Sequence, residues 1–403
     1  MDIFDKYEGL AARRAQLLGA GTDPFHLEIE ELHGPCEATI AGRRTILLGT
    51  NNYLGLTFDP ACIEAGVEAL RRYGTGTTGS RIANGTYAGH RALEAELAAF
   101  MGRRAAIVFT TGYQANLATI GGLVGAKDTI FVDSDWHASI FDGCRLSGAT
   151  VVRFRHNDPD DLDRRLERNP TPGGCRLIVV EGLYSMLGDV ARLAEIVAVK
   201  KRHGAFLLLD EAHSMGVFGA RGRGVAEAQG VEAEVDFVVG TFSKSLGGIG
   251  GFAVSDHPRF ELLRVAARPY MFTASSGPAT IASVRAALAQ ISARPELRER
   301  IWTNARMLHA GLARAGFLLA APPGPILSIR LPDERTAVLA WNRLLEAGVY
   351  VNLALPPGTP GGVCLLRCSV SAAHTDEQIE AVLERFAALS AELARLAGAV
   401  AAE

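Results

Sequence analysis

Between residues 105 and 254 the chain alternates short, continuously apolar runs with stretches of helical periodicity. The runs are 105–109, 129–132, 150–154, 177–181, 205–210, 236–240 and 251–254. Runs without apolar–polar alternation suit strands buried on both faces of a mainly parallel sheet. Segments such as 193–203 read as the intervening helices, so the pattern predicts an α/β domain of seven strands with helices on both sides. Upstream, Asp59-Pro60 gives an N-cap and a proline at N1. Ile63, Val67 and Leu70 form an apolar stripe and Gly74 a stop. Residues 1–45 read as an N-terminal arm with its own helix, and 46–284 as a large α/β domain. Residues 285–403 read as a smaller C-terminal α+β domain. The last helix is expected from Thr375, with Gln378 completing a capping box and Ile379, Val382, Phe386, Leu389 and Leu393 on its apolar face. The Ala-rich end, Leu396 to Glu403, is expected to fray.

Composition narrows the function classes. The 403 residues are 48% hydrophobic and 21% charged, with 41 basic against 44 acidic side chains. That balance supplies no cationic field for nucleic acid or an anionic membrane. No apolar run approaches the roughly 18 residues of a transmembrane helix, and no signal peptide is recognisable. The six cysteines contain no CxxC pair and no cluster completing a metal site, so they read as buried thiols of a cytoplasmic protein.

Two motifs mislead. Gly74-Thr75-Gly76-Thr77-Thr78-Gly79 matches GxGxxG, but a helix pattern precedes it and a polar loop follows, the reverse of a dinucleotide site. Asp210-Glu211-Ala212-His213 spells the DEAH of a helicase, yet no phosphate-binding GxxxxGK[ST] occurs.

A third constellation fits the architecture, because ligands of such sheets gather at the carboxyl ends of the strands. Thr111-Gly112-Tyr113 opens a helix after the first run, giving free N–H groups and a dipole for an anion. His137 follows the second run, Asp210 and His213 the fifth, and Thr241, Ser243 and Lys244 the sixth. An anion cradle, an aromatic cation, a carboxylate and a lysine are what pyridoxal 5′-phosphate requires, for its phosphate, ring face, pyridine nitrogen and aldehyde. Taken singly, each residue also suits a cap, a turn or a solvated side chain.

The pair Asp210-Glu211-Ala212-His213-Ser214-x-Gly216 and Gly240-Thr241-Phe242-Ser243-Lys244 resembles the α-oxoamine synthases. These are fold-type-I pyridoxal-phosphate enzymes that join an amino acid to an acyl-CoA with loss of CO2. The resemblance runs from about Asn51 to the final helix. It implies a seven-stranded, mainly parallel sheet with a smaller C-terminal domain, Lys244 as the cofactor-bearing base, and Asp210 on the pyridine nitrogen. It further implies His213, with Ser185, on the ring hydroxyl, and His137 on the ring face and the substrate carboxylate. Gly112, Tyr113, Thr241 and Ser243 would hold the phosphate, and Thr273 would reach in from the other subunit of a homodimer. Arg367 and Asn52 would face the substrate.

Residues 74–81, 84–90 and 268–275 are most similar to the soluble, serine-using bacterial branch. That branch implies L-serine and palmitoyl-CoA as substrates and 3-ketodihydrosphingosine as product. A sister synthase using glycine or alanine with another acyl-CoA is the alternative. Two places depart from the branch. Leu355 stands where it carries an arginine before Pro-Pro, and Ser276-Gly277 where it carries Leu-Pro. Losing that guanidinium removes a bidentate partner for the substrate carboxylate.

Overall fold

The computed structural model describes residues 2–19, 21–24 and 26–400. The chain divides into two compact units, Asn51–Ser185 with Asp189–Ile301, and Met1–Thr50 with Met186–Gly188 and Trp302–Glu403.

The first unit carries the seven predicted strands. They are β1 (Ala105–Phe109), β2 (Thr129–Asp133), β3 (Thr150–Phe154), β4 (Arg176–Glu181), β5 (Phe206–Asp210), β6 (Phe237–Thr241) and β7 (Gly251–Ser255). Their order across the sheet is β1-β7-β6-β5-β4-β2-β3. All neighbours are parallel except β7, which is antiparallel to both β1 and β6. The central strands are buried along nearly their whole length, which is why they read as unbroken apolar runs.

The helix Pro60–Tyr73 begins as expected. Asp59 accepts the N–H groups of Ala61 and Cys62, and the helix ends at Gly74. Its buried face differs from the expected stripe: Cys62, Gly66 and Ala69 are buried, whereas Ile63 and Leu70 are each 44% exposed. Small residues permit close approach to the helix Pro278–Ala293; a Cβ on Gly66 would lie 2.5 Å from Ser283 Oγ. The compact unit that contains this helix pair ends at Ile301.

In the second unit the N-terminal residues cluster with the C-terminal part of the chain. The helix Glu8–Leu18 is present, and the strand Arg43–Leu47 pairs in parallel with Val349–Tyr350. That pairing joins the first fifty residues to the C-terminal part. A second sheet contains Ile326–Leu331 and Cys364–Ser369. The last helix, Asp376–Val400, starts with the predicted box: Gln378 N–H donates to Thr375 Oγ1 and Thr375 N–H to Gln378 Oε1. Ile379, Val382, Phe386 and Leu389 are buried, and Leu393 is half-buried. Of the end expected to fray, residues 401–403 lie outside the described residues.

All six cysteines are free; five are buried and Cys175 is exposed. Burial pushes the thiols of Cys36, Cys62, Cys144 and Cys368 up to about 12. Among the described residues no helix is long and apolar enough to cross a membrane.

Candidate active site

At the carboxyl ends of β1, β2, β4, β5 and β6 lies a cavity of about 290 Å³. Gly112, Tyr113, His137, Asp210, His213, Thr241, Ser243 and Lys244 all line it, so eight residues predicted from scattered positions converge on one space.

Each is placed by the element it follows. The helix Gly112–Leu123 leaves β1 with Thr111 as its N-cap, and Thr111 Oγ1 takes the Gln114 N–H at 3.0 Å. The N–H groups of Gly112 and Tyr113 have no intrahelical acceptor, so they and the helix dipole favour an anion. Gly112 is required by proximity. A Cβ there would lie 2.8 Å from both Cβ and Oγ1 of Thr241. Thr241 Oγ1 in turn sits 2.9 Å from Ser243 Oγ and donates to Gly250 O. The turn carrying Lys244 is anchored by Phe242, fully buried and stacked on Phe252 at 6.0 Å.

The lining also includes residues that the sequence reading did not assign to the site, among them Asn116, Ser139, Glu181 and Ala212. Asn116 lies one helical turn after Gly112. Its Nδ2 donates to Asp210 Oδ2 at 2.7 Å and to Ser139 Oγ at 2.9 Å. Ala212 N–H donates to Asp210 Oδ1 at 2.8 Å. Ser139 Oγ lies 2.7 Å from His137 Nδ1, which also accepts the Ser139 N–H. Nδ1 is therefore the acceptor, and a neutral ring carries its proton on Nε2. Burial holds the His137 imidazole below its ordinary range; Asp210 works against that and Lys244 with it. A continuous chain thus links Asp210, Asn116, Ser139 and His137.

Glu181 ends β4 directly beside Asp210 on β5. Its Oε1 accepts the His137 N–H at 2.7 Å. Burial and then the Asp210 charge raise this carboxyl well above its usual range, with Lys244 opposing. Tyr53, fully buried, places its hydroxyl 2.6 Å from His213 Nδ1.

Four predicted residues are not part of the cavity lining. Asn52 is buried next to Tyr53 and donates to Thr57 Oγ1 at 2.7 Å. Ser185 is half-buried in the loop after β4. Thr273 lies against the neighbouring helix, accepting from Gln114 Nε2 at 3.3 Å, and lines a separate small cleft with Arg81, His90 and Tyr270. Arg367 belongs to the other unit, where its buried side chain donates to Ser369 Oγ at 3.1 Å.

The donor set fits pyridoxal 5′-phosphate. Neutral N–H and hydroxyl donors, a fixed carboxylate and a lysine line the same cavity, and Gly112 leaves no room for a Cβ beside Thr241.

Comparison with known proteins agrees with this fit. The model of the family "Aminotransferase class I and II" matches residues 43–386. The serine palmitoyltransferase of Caulobacter vibrioides is 57% identical over 98% of this chain and 97% of its own. A solved serine palmitoyltransferase carrying pyridoxal phosphate as an internal aldimine superposes with a TM-score of 0.96. It is 51% identical and is covered over 100% of its length by 98% of this chain. An 8-amino-7-oxononanoate synthase of Geobacter metallireducens is more distant, 42% identical over 87% of this chain and 90% of its own.

Proposed function

Because the chain belongs to the class I and II aminotransferases, in the α-oxoamine synthase branch whose serine palmitoyltransferases it matches over nearly its whole length, we propose that it condenses L-serine with palmitoyl-CoA. The products are 3-ketodihydrosphingosine, CoA and CO2. The observation that supports this reading most directly is the convergence of Lys244, Asp210, His137 and the Gly112 helix start on one cavity.

Gly112, Tyr113, Thr241 and Ser243 would hold the cofactor phosphate, with Thr273 of a second subunit completing the cradle in a homodimer. Asp210 would meet the pyridine nitrogen, His213 and Ser185 the ring hydroxyl, and His137 the ring face. When bound, pyridoxal phosphate supplies a protonated ring that accepts the electron pair left on the amino acid's Cα.

The chain's own groups do the rest. Asn116 and the Ala212 N–H fix both Asp210 oxygens, so that carboxylate cannot swing away from the ring nitrogen. Lys244 Nζ, which would carry the cofactor at rest, would take the proton from the Cα of serine. His137 offers Nε2–H to the serine carboxylate, and Arg367 and Asn52 are assigned to the same substrate. Holding the carboxylate would fix the orientation of the serine Cα toward Lys244. The Cα–carbonyl bond would form as the thioester C–S bond breaks; CoA would leave as a thiolate and take a proton from solvent, and when the carboxylate departs as CO2 the electron pair left on Cα would take back the proton held by Lys244. We place the reaction in the cytoplasm, consistent with a CoA thioester donor and six free cysteines.

The test is thiol release from palmitoyl-CoA with serine, glycine or alanine, with the lipid product weighed by mass spectrometry. Serine should give a keto amino alcohol, and Lys244→Ala should abolish it. Faster turnover with glycine or alanine would overturn the substrate assignment.

A further inference from the structure

Behind the cavity wall, the imidazole of His156 sits where three chain segments cross. Asp133 ends β2 and is followed by the short stretch that leads to His137. Its Oδ1 lies 2.8 Å from His156 Nδ1 and also accepts the Asp135 N–H at 2.8 Å. Its Oδ2 accepts the Tyr184 hydroxyl and the Asn157 N–H, each at 2.8 Å. On the other side of the ring, His156 Nε2 lies 2.9 Å from Asp189 Oδ2. Asn157 Nδ2 adds bonds to Asp189 Oδ2 and Val190 O. The ring also stands edge-on to Tyr184, centroids 4.5 Å apart. Tyr184 N–H donates to Asp189 O, closing the loop that contains Ser185.

We propose that His156 is a positioning residue: bridging Asp133 and Asp189, it braces the β2 loop that presents His137 against the β4 loop that carries Ser185. None of the steps given above uses it, and it does not line the cavity. The inference rests on the cofactor reading, because it concerns how two loops are held toward that group.

The charge state suits a brace. Burial opposes a charged ring, but hydrogen bonds and charges from Asp133 and Asp189 prevail and raise His156 to about 10, with Asp135 3.7 Å away. Both bridges are therefore charge-assisted at neutral pH, roughly twice as strong as neutral bonds. A metal ion is the competing reading, since Asp133, Asp135 and His156 each place one ligand atom within 4.8 Å of the others. An ion would have to part the Asp133 Oδ1 and His156 Nδ1 atoms, which are already in hydrogen-bond contact. It would also meet a ring whose other nitrogen is committed to Asp189.

The experiment compares the holoenzyme with His156→Asn, Asp189→Asn and Leu166→Ala, the last a fully buried helix residue outside the bridges. Three quantities are read: the visible circular dichroism of bound cofactor, its dissociation rate, and kcat and KM for serine and palmitoyl-CoA. Misplacing a catalytic group by about 1 Å costs on the order of 100-fold. His156→Asn should therefore lower kcat/KM for serine by roughly 30- to 100-fold and change the dichroism. The cofactor should leave several times faster, and KM for palmitoyl-CoA should move less than about twofold. Asp189→Asn, which keeps an oxygen facing Nε2, should lose less in the same direction and serves if His156→Asn does not fold. Leu166→Ala should lower thermal stability yet leave the dichroism and both KM values in place. Unchanged dichroism with kcat/KM within about threefold of wild type in either bridge variant overturns the proposal. So does Leu166→Ala reproducing their changes. Wild-type protein without any cofactor band would instead refute the reading of the cavity itself.

Discussion

The Asn116 amide holds the Asp210 carboxylate at 2.7 Å, from a helix that starts at one strand and reaches to another. Because the same amide donates to Ser139, and Ser139 meets His137, two of the residues assigned to the cofactor ring, Asp210 and His137, share one support. A hydrogen bond to a charged group contributes about 1.5–3 kcal/mol, or roughly 10- to 150-fold in an equilibrium constant. Asn116→Ala should thus weaken cofactor binding by at least about tenfold and disturb His137 as well. Equilibrium dialysis of pyridoxal phosphate measures the first effect, and the serine dependence of turnover the second. Full affinity in Asn116→Ala would mean that the Ala212 N–H alone suffices to fix Asp210.

Glu181 offers a sharper contrast between two substitutions. Its carboxyl is pushed well above the usual range, chiefly by burial and then by Asp210, which favours the neutral form while Oε1 accepts the His137 N–H. Glutamine keeps a carbonyl acceptor and adds no charge. Glu181→Gln should retain kcat/KM within about threefold, whereas Glu181→Ala, which removes the acceptor, should lose roughly tenfold or more. Steady-state kinetics on the two proteins decides it. Equal damage from both would show that the carboxylate charge matters, contrary to the burial argument.

Gly112 tests the anion cradle. A methyl group there would lie 2.8 Å from Thr241, closer than side chains tolerate, so the helix start or Thr241 must shift. Gly112→Ala should weaken pyridoxal phosphate by about 10- to 100-fold. The unphosphorylated aldehyde, pyridoxal, should be affected much less, because it does not use the cradle. Spectrophotometric titration with the two compounds provides the comparison; equal losses would place the phosphate elsewhere.

The sequence exposed the strands because both their faces are buried, leaving unbroken apolar runs with polar residues only at the ends. Lys244, Asp210 and His137 could be singled out for that reason, each standing at or shortly after the end of a run. Helix boundaries were legible where a side chain caps the backbone, as at Asp59 and Thr375. What stayed hidden depends on which elements touch. Glu181 is merely the last residue of a strand until β4 and β5 are known to be neighbours, which sets it against Asp210. Asn116 looks like a polar interruption in an apolar helix until its partner on β5 is known. The stripe of Ile63, Val67 and Leu70 misled because small residues on the adjacent face allow tighter packing than large ones. His156 carries no local signal, since both of its partners are distant in the chain.

Its bridges also predict a pH dependence of stability. In the unfolded chain His156 titrates near 6.5, whereas in the folded protein Asp133 and Asp189 outweigh burial and raise it to about 10. The folded state therefore holds the extra proton between those values, and stability falls as pH rises through that window. The contribution is complete below pH 6.5 and lost above about 10. Its upper limit is on the order of 5 kcal/mol, and strong coupling with the two carboxylates should reduce what is observed. Other groups titrate over the same range, so the informative quantity is the difference in thermal midpoint between wild type and His156→Asn. That difference should be largest at about pH 6 and shrink steadily toward pH 10. Midpoints running parallel across the range would show that His156 is not held as a cation in the folded protein.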